Sequence, residues 1–218
     1  MRRQWGAPAL EMLNLRRLSI LVLVMLASIS TQSQSANARI VLKEKVTYYN
    51  VTGKNGREIF KSMIKNGPKV GRRESHALAT TEYKYDVKNV KVALKAGRCV
   101  LTDFEVHMAV KYTYPRWRGS SGASKDTRTA WRSFQKTVIW HEEEHVRIAR
   151  GLAADYEKAL KRSRFRFKTE CDPNSISLNW RVGFANIRNN RLQRQFDRRD
   201  LKPGGRGYEA QLRLLKAK

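Results

Sequence analysis

The sequence predicts an α+β fold, in which a small antiparallel or mixed sheet packs on one short and one long helix. From Val100 to Tyr114, apolar and polar residues alternate, as in a strand with one buried face. From Trp131 to Leu160, apolar residues recur at intervals of three and four, as on one side of a helix. The 218 residues suit one domain, or at most two.

The first 38 residues predict a secretory signal peptide. Arg16 and Arg17 precede an apolar run over 18–29, and the small residues of the 36–38 triplet follow it. This run is shorter than the roughly 20 residues that a membrane-spanning helix needs. We therefore expect cleavage after Ala38 and a secreted or periplasmic protein without a transmembrane span. An uncleaved membrane anchor is the alternative.

The mature chain predicts a strand over 39–51, followed by a short helix. Asn55 is a suitable N-cap for that helix, and Gly67-Pro68 is a typical stop. Two further strands follow, separated by the turn at Ala96-Gly97. The first changes the parity of its apolar residues, which predicts a bulge or turn near Lys88-Asn89.

The second half of the chain predicts a strand that Pro115 ends, then a polar loop and a long helix that Asp126 caps. Beyond residue 171 the apolar pattern weakens, with a helical stretch around 183–196. We therefore expect the domain to span 39–171 and a basic extension to occupy 172–218, packing on the domain or extending it.

Cys99 and Cys171 are the two cysteines of the chain. An isolated pair in an exported protein usually forms a disulfide, because the compartment is oxidising. We expect this bond, which would close a loop of about 70 residues. Two unpaired buried thiols are the alternative.

Lys and Arg outnumber Asp and Glu by 45 to 19, which gives a formal net charge of +26, or +23 without residues 1–38. Such a chain carries a broad positive field, so anionic envelope or cell-wall polymers are candidate partners. The expected export argues against nucleic acid as a partner. The sequence contains no phosphate-binding Gly-x-x-x-x-Gly-Lys-Ser/Thr loop and no Cys-x-x-Cys pair, which argues against P-loop hydrolysis and zinc fingers.

The segment from His141 to His145 reads His-Glu-Glu-Glu-His and lies in the predicted long helix. Two histidines four residues apart share one helix face, where both can bind one Zn²⁺. Glu142 follows the first ligand and can take the proton of a water that the metal activates. This pattern predicts amide hydrolysis. The alternative is a solvated helix surface with packed histidines and an ion pair between Glu143 and Arg147.

An ordered set of landmarks resembles the bacterial family catalogued as domain of unknown function 922. The matching residues are Tyr49-x-Val51-x-Gly53, Gly67-Pro68, Gly97-x-Cys99, Pro115-x-Trp117, Trp131-x-x-Phe134 and His141-Glu142-x-x-His145. The resemblance runs from about residue 40 to the region of Cys171. It implies a zincin-like α+β fold, zinc on His141 and His145, and Glu142 as the general base of a secreted metallopeptidase.

The chain departs from the family pattern near its C terminus. Phe196-Asp197 is not followed by the His-Gly pair that the resemblance leads one to expect. A catalytic zinc usually has three protein ligands. The candidates for the third are Asp155, Glu157, Glu170, Asp197, Asp200, His76 and His107.

Two functions remain open at this stage. The first is an exported zinc metallopeptidase that hydrolyses peptide bonds in protein or cell-wall peptide. The second is a catalytically inactive basic protein on the same scaffold, which binds anionic envelope polymers. Tyr112, Tyr114, Trp117 and Tyr156 are candidate hydrogen-bond donors to an oxyanion, and the sequence assigns none of them.

Overall fold

A computed structural model describes residues 37–71, 75–161, 164–165, 171 and 179–218. The predicted signal peptide therefore lies almost wholly outside the described residues. In chain order the elements are β1 (Asn37–Val51), α1 (Gly56–Asn66), β2 (Lys69–Val70), β3 (Ser75–His76), β4 (Thr80–Lys95), β5 (Arg98–Trp117), a 3₁₀ turn (Ser120–Gly122), α2 (Lys125–Lys161), β6 (Arg164–Phe165), α3 (Asn179–Asp200) and α4 (Arg206–Lys216). The α+β class is confirmed.

The main sheet is mixed, with strand order β1-β5-β4. β1 runs parallel to β5, whereas β4 runs antiparallel to it and is joined to it by the turn at Ala96-Gly97. The short β6 pairs with the start of β5. Val46 on β1 and Thr81 on β4 both lie opposite Tyr112, so these three residues share a sheet face.

One sheet face is buried and the other is exposed, as the alternation in β5 predicts. Phe104, Val106 and Met108 are fully buried, whereas Lys111 is exposed. The expected bulge is also present, because the β4–β5 register shifts between Lys88 and Val92.

The prediction for the start of β5 is wrong in one respect. Leu101 is buried there, while Val100 and Thr102 are only half-buried. The register shift changes the facing of the residues on its far side, because side chains alternate strictly along a strand.

The short helix α1 has the predicted ends. Asn55 caps it, since the Glu58 backbone N–H donates to Asn55 Oδ1 at 3.0 Å. At its C-terminal end the Gly67 N–H donates to the Met63 carbonyl at 2.8 Å. Ile59 and Met63 are fully buried, so one face of α1 contributes to the core.

Two predicted boundaries are wrong by one or two residues. β5 does not end at Pro115, because Pro115 lies opposite Tyr49 and pairing continues to Trp117. The cap of α2 is Ser124 rather than Asp126, since the Thr127 backbone N–H donates to Ser124 Oγ at 3.0 Å. Trp117 and Ser124, which the sequence placed in the loop, thus belong to the end of β5 and to the cap of α2.

The 37-residue helix α2 packs across the buried face of the sheet, and α3 and α4 pack on α2. All described residues belong to one compact unit, Ala36–Lys218, which includes α3 and α4 from the predicted extension. Cys99 and Cys171 form the predicted disulfide, with Cα atoms 5.7 Å apart. Such a pair is compatible with an extracytoplasmic protein. Among the described helices, none combines the length and apolar character needed to cross a bilayer.

Candidate metal centre

Three side chains from two helices converge on one point. His141 and His145 are one turn apart on α2, and their Nε2 atoms are 3.1 Å apart. Asp197 of α3 places its Oδ1 atom 3.4 Å from His141 Nε2 and 3.0 Å from His145 Nε2. Among the described residues, His141, His145 and Asp197 form the one group of His, Cys, Asp or Glu side chains whose potential ligand atoms lie close enough together to hold a metal ion. The predicted pair of histidine ligands is thus joined by one of the carboxylates that the sequence left open.

The triangle of these three atoms fits a tetrahedral zinc site. Ligand atoms at 2.0–2.1 Å from zinc lie about 3.3 Å from one another when the geometry is tetrahedral. The observed separations of 3.0–3.4 Å match that edge length. Three protein ligands leave the fourth position for water or substrate, which is typical of catalytic zinc sites.

The outer nitrogen of His141 is held by Asp200. His141 Nδ1 lies 2.7 Å from Asp200 Oδ2, and Asp200 is buried. An ionised carboxylate only accepts hydrogen bonds, so Nδ1 carries the proton and Nε2 presents a lone pair. The other oxygen of Asp200 accepts from the Gly207 backbone N–H at 3.1 Å, which fixes the carboxylate. Carboxylates that orient metal-binding histidines in this way are common.

The outer nitrogen of His145 is held by Gln193. Gln193 Nε2 donates to the His145 carbonyl at 3.0 Å, and this contact fixes which end of the amide faces the ring. Gln193 Oε1 therefore faces His145 Nδ1, at 2.5 Å, and can only accept. As a result His145 also carries its proton on Nδ1 and presents a lone pair from Nε2.

Two lone pairs and one carboxylate oxygen thus face one another, and a cation is needed between them. In the metal-free chain, a proton can meet this need. Burial lowers the pKa of His141, but hydrogen bonds to Asp197 and Asp200 outweigh it, so its pKa is raised. Burial also lowers the pKa of His145, but its hydrogen bonds to Asp197 and Gln193 outweigh this effect, so its pKa is raised as well. Burial raises the pKa of Asp197, but the hydrogen bonds and charges of the two histidines lower it by more. The net effect is a lowered pKa.

Glu142 is a buried carboxylate beside this centre. Its residue is 6% exposed, and its Oε2 accepts a hydrogen bond from Thr81 Oγ1 at 2.7 Å. Burial raises the pKa of Glu142, and the bond from Thr81 opposes this shift only in part. A carboxylate with a raised pKa is better matched to proton transfer near neutral pH. Thr81 engages one oxygen of Glu142 and leaves the other for such a transfer.

The centre lies in a cleft of about 630 Å³ that His141, Glu142, His145 and Asp197 all line. Towards the start of α2 the cleft wall is apolar and is formed by Phe60, Ile64, Leu78, Phe134, Val138 and Ala210. Around His145 the wall is polar, with Tyr83 and Gln193. The cleft therefore changes from apolar to polar along α2, with the three converging side chains at the change.

The other third-ligand candidates lie elsewhere or have other partners. Glu170 lies outside the described residues. Asp155 pairs with Arg188 at 3.0 Å, and Glu157 pairs with Lys161 at 2.7 Å. His107 hydrogen-bonds to Glu105 at 2.7 Å. His76 lines the cleft but places its Nδ1 2.5 Å from the Ile64 carbonyl.

The ion pair between Glu143 and Arg147, which belonged to the alternative interpretation, is replaced by one between Glu144 and Arg147. Arg147 binds Glu144 through two nitrogens, at 2.8 and 2.5 Å. Glu143 lines a separate groove, which contains Glu44 of β1 and Arg150 of α2. The triplet of glutamates thus divides into one buried carboxylate in the cleft and two on other sides of α2.

Sequence reasoning missed Thr81 and Gln193. Thr81 lies 61 residues before Glu142, and no local pattern relates the two. Gln193 belongs to the predicted helical stretch 183–196, and it precedes Asp197 by four residues. This spacing places both side chains on one helix face, so Gln193 was a detectable neighbour of any ligand at position 197.

Comparison with known proteins gives a family and nothing closer. The model of a family described as "Bacterial protein of unknown function (DUF922)" matches residues 46–205. The match extends beyond Cys171 and includes Gln193, Asp197 and Asp200. No curated protein and no solved structure matches the chain. Because the match covers most of the sequence, the chain belongs to the DUF922 family of bacterial proteins of unknown function.

Proposed function

We propose that this protein is an exported zinc-dependent metallopeptidase with a zincin-like active centre. The observation that carries this proposal is the convergence of His141, His145 and Asp197 beside the buried Glu142 in one cleft. A structural zinc site usually has four protein ligands, whereas this group offers three potential ligands and lines an open cleft, which supports a catalytic role. The expected export and the disulfide agree with a protein that acts outside the cytoplasm.

The donor set fits zinc. His141 and His145 would hold it through Nε2, and Asp197 through Oδ1, while Asp200 and Gln193 keep the two rings in the required tautomer. A bound Zn²⁺ supplies Lewis acidity, which lowers the pKa of water and polarises a carbonyl group. The protein supplies the orientation of the ligands and a base for the proton.

Glu142 moves the proton. As the water oxygen attacks the carbonyl carbon of the scissile amide, Glu142 accepts the proton that the water loses. The same carboxyl group then gives this proton to the leaving nitrogen as the C–N bond breaks. The products are one carboxylic acid and one amine, and Glu142 returns to its ionised form. The acid then loses its proton to the amine, which leaves a carboxylate and an ammonium group. Its burial and its bond from Thr81 hold it in place for both transfers.

The shape of the cleft supports a peptide substrate. Its apolar wall suits an apolar side chain next to the scissile bond, and its polar wall offers hydrogen bonds to the main chain. β4 is an edge strand, and Thr80 and Thr81 at its start line the cleft. An extended peptide can therefore pair with this edge beside the centre.

The test compares Glu142→Gln with Glu143→Gln in the chain from Arg39 onward. Zinc per chain is measured by elemental analysis, and cleavage of a mixed peptide library is measured by mass spectrometry. We expect one zinc in both variants and in the parent, with cleavage reduced about 10²- to 10⁴-fold in Glu142→Gln alone. Equal cleavage by parent and Glu142→Gln would overturn the mechanism, and a parent without zinc or cleavage would overturn the function.

A second candidate function is adhesion to anionic envelope polymers. Arg191, Arg194 and Arg198 are exposed on α3 at spacings of three and four, so they lie on one side of that helix. Binding of teichoic-type polyphosphate should then weaken steeply with salt. It should persist in chelator, whereas peptide cleavage should stop. Polymer affinity that does not change between low and high salt would contradict adhesion.

A further inference from the structure

Tyr83 presents a hydroxyl with an unusual set of partners. It lies on β4 and lines the cleft together with His145 and Gln193. Its oxygen receives a hydrogen bond from Asn189 Nδ2 at 2.6 Å and lies 3.3 Å from Gln193 Nε2. Both partners come from α3, the helix that also carries Asp197.

The directions of these two bonds follow from neighbouring contacts. Gln193 Nε2 faces the His145 carbonyl, so the nitrogen of this amide, and not its oxygen, lies towards Tyr83. Gln193 Nε2 also lies 3.5 Å from Asn189 Oδ1, which leaves the Asn189 nitrogen for Tyr83. A phenolic oxygen accepts at most two hydrogen bonds and donates one. Both acceptor positions of the Tyr83 oxygen are therefore filled, and its O–H is the group left to form a further hydrogen bond.

Within the described part of the chain, the Tyr83 hydroxyl donates no hydrogen bond. The other tyrosines near α2 behave differently. Tyr85, on the same face of β4, donates to the Ala149 carbonyl at 2.7 Å. Tyr112 donates to Glu44, and Tyr156 donates to Asn186 Oδ1. Trp117 donates its indole N–H to the Gly53 carbonyl. The residues that the sequence suggested as oxyanion donors thus have their protons engaged elsewhere, except for Tyr114, which lines the groove with Glu143.

We propose that the Tyr83 hydroxyl donates a hydrogen bond to the oxyanion that forms on the substrate carbonyl oxygen. This assignment rests on the proposed function. Asn189 and Gln193 are positioning residues for it, because they fix the phenol oxygen from behind. Donors that bind to the oxygen of a hydroxyl also polarise its O–H bond, which strengthens the hydrogen bond that it gives.

The surroundings make such a donor effective. No lysine or arginine lies among the described residues that line the cleft, so no such side chain in the cleft wall competes with Tyr83 for the developing negative charge. Asn189 is buried, which limits the movement of the group behind Tyr83. A preorganised donor in a partly desolvated site stabilises a transition state more than one in water, since it needs no reorientation.

The test compares Tyr83→Phe with Tyr85→Phe, which removes a hydroxyl from the same strand face. We expect Tyr83→Phe to lower kcat about 10²- to 10³-fold, as loss of one oxyanion donor does, with KM and zinc content close to those of the parent. Tyr85→Phe should keep kcat within about threefold of the parent, because its hydroxyl serves only a backbone carbonyl. A purely structural role for Tyr83 would instead change zinc content or KM, and that result would overturn the proposal.

A binding measurement separates this proposal from the function on which it rests. A peptide phosphonate carries a tetrahedral anion, and its affinity for zinc-loaded protein does not require turnover. Tyr83→Phe should weaken phosphonate binding at least tenfold, whereas binding of the corresponding uncharged peptide should not change. Equal phosphonate affinity in the parent and Tyr83→Phe would overturn the role of Tyr83 alone. Absence of phosphonate binding to the parent would overturn both proposals.

Removal of the hydroxyl leaves the Asn189 amide without its acceptor. If Tyr83→Phe does not fold, as judged by thermal unfolding, the double variant Tyr83→Phe with Asn189→Leu replaces it. This variant also removes the buried donor, so the cost of an unsatisfied amide disappears. The same kcat and phosphonate criteria then apply.

Discussion

Two groups of histidines and carboxylates lie on different sides of the molecule. One is the candidate metal centre of His141, His145 and Asp197. The other lies on the exposed sheet face, where His107 Nε2 is 2.7 Å from Glu105 Oε2 and Glu105 also pairs with Arg39. Both groups contain imidazole and carboxylate side chains. The second group nevertheless offers a metal only one histidine, and its carboxylate is already neutralised by a guanidinium.

The difference shows that a metal site depends on the hydrogen-bond partners of the histidine nitrogens that do not face the metal. At the centre, Asp200 and Gln193 occupy both Nδ1 atoms, so the Nε2 lone pairs must point inwards. On the sheet, the His107 atom that faces the carboxylate is itself Nε2. Sequence shows which residues exist, whereas the second layer of hydrogen bonds determines which of them can bind a metal.

The largest expected effect comes from Asp197→Ala. The variant removes the third ligand and leaves two histidines, so zinc affinity should fall by more than about 100-fold. Equilibrium competition with a fluorescent zinc chelator measures this change. Glu105→Ala on the sheet is the matched control and should bind zinc as the parent does. Retained affinity in Asp197→Ala would show that the third ligand lies elsewhere.

The pH dependence of the metal-free and zinc-loaded forms should be opposite. Both histidines have raised pKa values in the metal-free chain. Their pairing with Asp197 therefore stabilises the metal-free fold below the unfolded histidine pKa of about 6.5, and this stabilisation is lost as pH rises through the folded pKa.

Zinc needs both rings neutral, so its binding strengthens over the same rise in pH. The difference in Tm between the zinc-loaded and metal-free protein should thus grow from pH 5 to pH 8. Thermal unfolding followed by circular dichroism measures it. A difference that stays constant over this range would mean that the two histidines do not hold the zinc.

Asp200→Asn should have an intermediate effect. It keeps the shape of the side chain but removes the charge opposite His141 Nδ1, so zinc affinity should fall about 10- to 100-fold. Asp155→Asn, which alters an exposed carboxylate paired with Arg188, serves as the control. The same chelator competition applies to both. Unchanged zinc affinity in Asp200→Asn would show that the charge of Asp200 does not contribute to zinc binding.

The smallest effect is expected for His107→Ala. Its hydrogen bond with Glu105 lies on the sheet face away from α2, and a typical intramolecular hydrogen bond contributes about 0.5–1.5 kcal/mol. The free energy of unfolding in urea should therefore change by about 1 kcal/mol, with zinc content unaltered. Loss of zinc in this variant would remove the contrast between the two groups.

Much of the fold could be predicted because its signals are local. The caps of α1, the alternation in β5 and the turn at Ala96-Gly97 all depend on residues close in sequence. The parallel pairing of β1 with β5 could not be predicted, since it joins residues 66 positions apart through backbone bonds that leave no residue pattern. The continuation of β5 past Pro115 depends on the same partner strand.

The candidate site divides in the same way. His141, Glu142 and His145 lie within one helical turn, so spacing alone placed them together. Asp197 was one of seven candidates, and only the approach of α3 to α2 distinguishes it from Asp200, three residues away. Where the two helices meet, Asp197 faces the Nε2 atoms of both histidines, whereas Asp200 faces Nδ1 of His141. The sequence contains no pattern that distinguishes these two positions.

Gly207 influences this centre although it has no side chain to offer to it. Its backbone N–H holds Asp200, and a Cβ atom at this position would lie only 2.4 Å from Asp200 Oδ2. Any side chain there would displace the carboxylate and, through it, the ring of His141. In a library of random variants, position 207 should therefore tolerate as few replacements as the ligands themselves. Losses of activity at this glycine would be misread as folding defects if metal content were not measured.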